Sequence, residues 1–319
     1  MTHYNLALLG FGNVGQALAR LLQRKSASLA ADYDITFTIT AIGTARHGFA
    51  ADLSGLDIDH ALQLVASGAN LSALTSHPTP ADAFELLRLS QADVLFENTP
   101  VNYQTGQPAL SYLRAALELG MHAITANKGP VVHGYRQLTA LAQQRGRKFF
   151  FESAVMDGAP IFSLFRQALP AAELRALNGI LNSTTNLILG RMETGESLEQ
   201  AIAYAQSIGI AETDPSGDVD GWDAAVKVAA LVTVLMGIPL LPEQVERQGI
   251  RAITPAAITA ARLQGQRWKL VCSAHREGSS VQARVAPQPV TPASPLYGVE
   301  GTSSIVTFET DVLSQLSIV

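Results

Sequence analysis

Apolar positions in the first half of the chain follow two alternating rhythms. Short runs rich in Val, Ile, Leu and Phe fall at residues 5–9, 35–42, 93–97, 122–125 and 148–151. Between them, stretches 13–25, 108–119 and 134–145 carry helical spacing, with Val14, Leu18, Leu21 and Leu22 sharing one face of the first. Buried strands alternating with amphipathic helices predict βαβ units and a parallel sheet. Beyond Gly158 the rhythm changes. Strand-like runs at 174–180, 270–274, 282–285 and 304–309 are set among long helical stretches at 185–193, 197–208 and 220–236. The fold class predicted is α/β, a parallel-sheet domain followed by a mixed α+β domain. The division falls within 128–150 and is placed to give domains 1–130 and 131–319. The proline-rich segment 286–295 reads as a connection between strands.

Composition narrows the class. The chain has 319 residues, 47% hydrophobic and 15% charged, enough to bury one large or two modest cores and too apolar for a disordered chain. A net charge of −5, with no Lys/Arg cluster, argues against a nucleic-acid partner. The most apolar stretch, 228–241, contains Thr233, Gly237 and Pro239 and is shorter than the roughly 20 residues a bilayer span needs. It reads as a buried helix. The N-terminus has no basic n-region and runs directly into a strand-like stretch, so a soluble cytoplasmic protein without a membrane partner is expected. The single cysteine, Cys272, cannot form an internal disulfide.

The first chemistry-bearing motif is Gly10-Phe11-Gly12-Asn13-Val14-Gly15, a G-x-G-x-x-G between an apolar strand and a helix. The first glycine permits a tight turn, and the second lets the backbone approach a pyrophosphate. The third lets helix and strand pack closely, and the helix N-terminus favours the anion. In this context the motif predicts a Rossmann-type dinucleotide-binding domain. The second strand ends without the acidic residue that usually holds the ribose hydroxyls of NAD. Thr44 and Arg46 stand there instead and suit a 2′-phosphate, so NADP(H) is the expected cofactor, with NAD(H) use possible. By itself, Arg46 also fits a solvated loop residue.

Glu212, Asp214, Asp218, Asp220 and Asp223 fall within twelve residues. They fit a solvated acidic loop or recognition of a cationic group on a small substrate; the EF-hand calcium pattern is not met. Lys227 favours recognition. It lies four residues after Asp223, on the same face of a stretch that is apolar almost all round. A lysine there is costly unless paired or used. Burial would lower its pKa and the neighbouring carboxylate would raise it. A purely structural pair is the alternative. Asp220 is placed to cap this helix, with Asp223 three positions on.

The segment Gly179-Ile180-Leu181-Asn182-Ser183-Thr184-Thr185-Asn186 resembles the G-I-L-N-G-T-T-N run of homoserine dehydrogenases. Residues 209–221, continuing to Asp223 and Lys227, resemble that family's most diagnostic signature, and 125–130 and 152–160 also correspond. The resemblance spans at least Gly10 to Met236. It implies NAD(P)-dependent interconversion of L-homoserine and L-aspartate 4-semialdehyde, in the route to threonine and methionine. It makes Lys227 the acid/base group, with Asp223 beside it, and Lys128 a second active-site lysine near nicotinamide and substrate. Glu212, Asp223 and Asp218 would hold the substrate, and Asn182, Ser183 and Thr184 would line its pocket. Thr99 and Pro100 would touch the cofactor. Glu152, Val155, Asp157 and Ala159 match a monovalent-cation site, such as one for sodium, with a structural role. The resemblance further implies a homodimer built on the second, catalytic domain.

Ser183 and Ile210 depart from the glycine and the aromatic residue common at these positions. Family members normally continue past Val319 into a glycine-rich turn and a helix that packs on the cofactor domain. Here the chain stops on an apolar, strand-like end, unlike the usual polar terminus, and reads as a short form without a regulatory domain. A semialdehyde dehydrogenase would need a nucleophilic cysteine, whereas Cys272 sits in a core-strand context. The remaining alternative is a non-catalytic NADP-binding or sensing protein of the same fold, against which Lys227, Asp223 and Glu212 argue.

Overall fold

The computed structural model describes residues 1–75 and 78–319. The chain divides into two compact units, Met1–Phe151 and Glu152–Val319.

The first unit opens with β1 (Thr2–Leu9), α1 (Asn13–Tyr33), β2 (Ile35–Thr44) and β3 (Gly48–Ala51). Helices α2 (Ile58–Ala66) and α3 (Ala83–Ser90) lead to β4 (Val94–Glu97), α4 (Ala109–Glu118), β5 (His122–Thr125), α5 (Lys128–Gln144) and β6 (Phe149–Phe150). The sheet order is β3-β2-β1-β4-β5-β6, parallel except for the antiparallel β2–β3 hairpin. The strand order reverses between β1 and β4, the point where such sheets bind ligands. Leu6, Leu8, Ile39 and Ile42 form the core together with Phe11 and Ala19.

Two features differ from the sequence expectation here. α5 begins at Lys128 rather than at 134, because the Asn127 side chain caps it by accepting from the Gly129 amide. The first unit also continues past residue 130, since α5 and β6 complete the last βαβ repeat and β6 pairs with β5.

The second unit holds α6 (Ile161–Ser163), β7 (Leu174–Ile180), α7 (Ser183–Met192), α8 (Leu198–Ser207), α9 (Ser216–Val219) and α10 (Trp222–Leu231). After β8 (Glu246–Arg247) and α11 (Pro255–Leu263) come β9 (Arg267–Glu277), β10 (Ser280–Val290), β11 (Ile305–Thr310) and β12 (Leu316–Ile318). Their sheet runs β12-β11-β7-β9-β10-β8, antiparallel apart from the β10–β8 pair.

The stretch predicted as one helix over 220–236 is α10 followed by a π-turn, Val232–Met236, bounded by Gly221 and Gly237 in left-handed conformation. Asp220 does not cap it; its carboxylate pairs with Arg251. The proline-rich segment is strand as far as Val290. Pro287 and Pro289 fit because they share one parity and lie beyond the short β8, at an edge where a missing N–H costs no ladder bond. Among the described residues no helix is long and apolar enough to cross a membrane.

Candidate active site

In the first unit the glycine turn sits at the reversal point. Gly10 has φ of 91°, and a Cβ there would meet the Asn98 carbonyl carbon at 2.4 Å, so the turn after β1 is pressed against the turn after β4. A Cβ on Gly15 would meet the Gly10 carbonyl oxygen at 2.2 Å. Gly12 differs: a Cβ there would meet nothing within 4 Å. The first and third glycines therefore serve packing, while the second borders open space at the start of α1. Asn13 and Val14 are exposed there, while the Phe11 ring is buried in the core and its carbonyl accepts from Gln16 Nε2 at 3.2 Å.

Asn98 is a residue the sequence reading passed over. Its side-chain nitrogen is buried without a hydrogen-bond partner among the described residues. An orphaned buried donor costs free energy unless an acceptor reaches it. A dinucleotide, rich in phosphate and ribose oxygens, fits both this donor and the open space at Gly12.

The β2–β3 turn places Arg46 on the surface, while the Thr44 hydroxyl accepts from the His47 amide at 2.7 Å. The Thr99 hydroxyl is spent on the Glu97 carboxylate, and the Pro100 carbonyl accepts from Asn127 Nδ2 at 3.4 Å. Half-buried Lys128 opens α5.

In the second unit, α10 forms because small and branched apolar residues on every side let it be buried; only Trp222 and Lys227 escape full burial. Lys227 Nζ lies 2.9 Å from Asp223 Oδ2 and donates to the Leu181 carbonyl at 2.7 Å. Two of its three N–H groups are thus directed inside the protein. Asn182 follows Leu181 at the end of β7 and caps α7 by accepting from the Thr185 amide at 2.8 Å. Its Nδ2 donates to Asp218 at 2.6 Å and to Asp223 at 2.9 Å. One buried amide therefore bridges two carboxylates, and its own polar atoms are fully used. Burial raises the Asp218 pKa, and the nearby Asp223 charge adds to that; the Asn182 and Thr184 hydrogen bonds pull it back.

Thr184, buried, also donates to the Ile210 carbonyl at 3.5 Å, and Ser183 is the partly buried first residue of α7. Glu212 is exposed on the following loop. The acidic run is thus split by role: Asp218 and Asp223 enter the lysine cluster, Asp214 caps the Ser216 amide, and Asp220 pairs with Arg251. Cys272 is wholly buried and its thiol is pushed up to about 12 by burial, which makes it inert as a nucleophile.

At the expected cation position both Glu152 oxygens accept from the Ser163 amide, at 3.1 and 2.9 Å, and Arg166 stands 3.9 Å away. Val155 is buried, Ala159 partly so, and Asp157 exposed. Among the described residues no cluster of three or more His, Cys, Asp or Glu could hold a metal.

Residues 160–319 match the family model for homoserine dehydrogenase, and residues 10–152 match that for the homoserine dehydrogenase NAD-binding domain. An NAD(+)-dependent homoserine dehydrogenase of Pseudomonas canavaninivorans is 34% identical over 100% of this chain and 91% of its own length. A homoserine dehydrogenase of Methanocaldococcus jannaschii is also 34% identical, over 99% of this chain and 92% of its own. The crystal structure of a putative homoserine dehydrogenase from Archaeoglobus fulgidus superposes with a TM-score of 0.85 at 31% identity, covering 98% of this chain and 92% of that one. A hyperthermophilic archaeal homoserine dehydrogenase in complex with NADPH superposes with a TM-score of 0.82 at 28% identity, covering 99% and 91% of the two chains.

Proposed function

This chain belongs to the homoserine dehydrogenase family, and from that premise we propose that Lys227 moves the proton in its reaction. The enzyme is an NAD(P)-dependent oxidoreductase that interconverts L-homoserine and L-aspartate 4-semialdehyde. Held by the glycine turn at residues 10–15, a nicotinamide cofactor would supply the hydride acceptor for the alcohol carbon, or the hydride donor for the aldehyde carbon. In reduction, Lys227 gives a proton to the carbonyl oxygen as the hydride arrives; in oxidation it takes the hydroxyl proton. The observation that carries this is the double anchoring of Lys227 Nζ on Asp223 and the Leu181 carbonyl, which leaves one N–H for a substrate oxygen.

Asp218 and Asp223 hold the substrate ammonium, joined by Glu212 from the loop. Ser183 and Thr184 border it at the start of α7. Asn182 belongs to this site as a brace, since its amide is already committed to both aspartates. On the other unit, the backbone from Gly10 to Gly15 cradles the pyrophosphate at the α1 N-terminus, and Thr99, Pro100 and Lys128 face the nicotinamide half.

NADP(H) is the preferred cofactor in this reading, supported by exposed Arg46 on the β2–β3 turn and the lack of an acid at the end of β2. A homodimer forms through the face of the second sheet that carries Asn178, Ser273, His275, Arg284 and Thr307. A monovalent cation held largely by backbone carbonyls at Glu152, Val155, Asp157 and Ala159 stabilises that turn and takes no part in proton or hydride movement. The test is absorbance at 340 nm with L-homoserine and NADP or NAD, for the wild type and Lys227→Ala. Homoserine-dependent reduction lost in the variant supports the assignment. Equal rates would remove Lys227 from the chemistry.

A further inference from the structure

We propose that Glu97 is a positioning residue that locks the loops after β4 and β5 into one arrangement and so sets the cofactor site. It is the last residue of β4 and wholly buried. One carboxylate oxygen accepts from the Thr99 amide at 2.7 Å and from the Thr99 hydroxyl. The other accepts from the Thr125 hydroxyl, at the end of β5, at 2.6 Å. Thr125 Oγ1 in turn accepts from the Asn127 amide at 2.9 Å. Asn127 Nδ2 then reaches back to the Thr99 carbonyl at 3.2 Å, which closes a ring through Glu97, Thr99, Asn127 and Thr125.

The chemistry of the ring requires an acceptor at its centre. The Thr99 amide can only donate and both threonine hydroxyls can donate as well, so an ionised carboxylate takes all three bonds without having to give one. Burial raises the Glu97 pKa, and the threonine bonds oppose it. An apolar residue would end the strand at lower cost, because an ion taken from water is repaid only by well-placed partners. What the carboxylate adds is geometry. It fixes Thr99 and, through Asn127, the cap of α5 from which Lys128 projects. With its amide and hydroxyl both spent on Glu97 and its carbonyl accepting from Asn127, Thr99 meets a ligand chiefly through its methyl group, held in place from below.

This inference rests on the reading that Thr99, Pro100 and Lys128 face the cofactor, so its test includes Lys128→Ala. NADPH binding is titrated by fluorescence in Glu97→Gln, Thr125→Val and the double variant, with melting temperatures of the free proteins and KM for homoserine at saturating cofactor. Each single variant should raise the NADPH Kd about tenfold, as expected for loss of a hydrogen bond to a charged group. The double variant should be little worse than the weaker single, because both break one ring. The homoserine KM should move clearly less than the NADPH Kd, since the ammonium-binding acids lie on the other unit and only Lys128 links the ring to the substrate. Unchanged Kd in both single variants, with Lys128→Ala weakened, overturns the positioning role alone. Unchanged Kd in Lys128→Ala as well overturns the placement of the cofactor and the inference with it. Equal losses for NADPH and homoserine alongside a lowered melting temperature would also overturn it, as general loosening. Thr125→Val is nearly isosteric and carries the test if Glu97→Gln fails to fold.

Discussion

Lys227 Nζ and the Asp223 carboxylate lie 2.9 Å apart, one turn from each other on a helix otherwise walled in by apolar side chains. The pair is mostly buried, so each charge depends on the other. Replacing Lys227 by Met should lower kcat by about 100- to 10,000-fold, the usual scale of a lost acid/base group. It should leave NADPH binding unchanged. Asp223→Asn in the Lys227→Met background should raise the melting temperature, by removing the stranded carboxylate. A double variant less stable than Lys227→Met would refute the electrostatic part of this account.

Asn182 connects three elements: its carbonyl oxygen caps α7 and its two N–H groups restrain Asp218 and Asp223. Asn182→Ala leaves two neighbouring carboxylates without a shared donor. A stability loss of about 1–3 kcal/mol is expected, and an increased KM for homoserine with less effect on KM for the cofactor. Urea unfolding and initial rates read the two effects separately. If the KM for homoserine does not move, Asn182 serves only the fold.

These two residues show how far the sequence reaches. The Asp223–Lys227 contact was legible because helical period alone places the pair on one face. The glycine turn was legible because strand, turn and helix are contiguous. Asn182 lies 36 and 41 residues from its acidic partners, so its brace depends on how β7 meets α10. Glu97 looks like any strand end until β5 supplies Thr125. Short elements were missed for a local reason. β3 has only four residues, and α2, α3 and α11 have eight or nine, too few for periodicity to stand out.

Burial lifts the Asp218 carboxyl above the usual aspartate range. The folded state therefore binds this proton more tightly than the unfolded chain does. Its stabilising contribution is complete below the unfolded value and is lost as pH rises through the raised folded one. Function runs the other way, because holding an ammonium needs the ionised form. KM for homoserine should climb on acidification at a pH above that of an ordinary aspartate. Asp218→Asn should bind homoserine weakly and lose that limb of the KM–pH profile. A profile unchanged in shape would place the titration on another group.

Arg46 is exposed on the β2–β3 turn, so its substitution should hardly touch the fold. Arg46→Ala should weaken NADP about tenfold and leave NAD nearly unaffected, the scale of one charge-assisted contact to a phosphate. The NADP effect should shrink at high salt, since an exposed charge is screened. Parallel kcat/KM values with the two cofactors at low and high salt measure this. An equal loss for both cofactors would mean that Arg46 does not read the 2′-phosphate.

Lys269 tests the fold of the second unit without touching the chemistry. It is only 1% exposed on β9, and its Nζ donates to Asn186 Oδ1 at 2.9 Å and to the Val299 carbonyl at 2.5 Å. Burial first, and then the Arg267 charge, pull its pKa down to about 8. An unfolded lysine stays protonated to about pH 10.4. Between those values the unfolded chain holds the extra proton, so stability should rise with pH, by at most about 1.4 kcal/mol per unit. Lys269→Met should lose this slope. It should also start lower, by about 1–3 kcal/mol, because the Asn186 oxygen is left without its donor. Urea unfolding at a series of pH values from neutral to alkaline compares the two slopes. Parallel curves would mean that Lys269 keeps its proton on folding, and that the ion pairs of Arg267 with Glu193 and Glu300 sustain its charge.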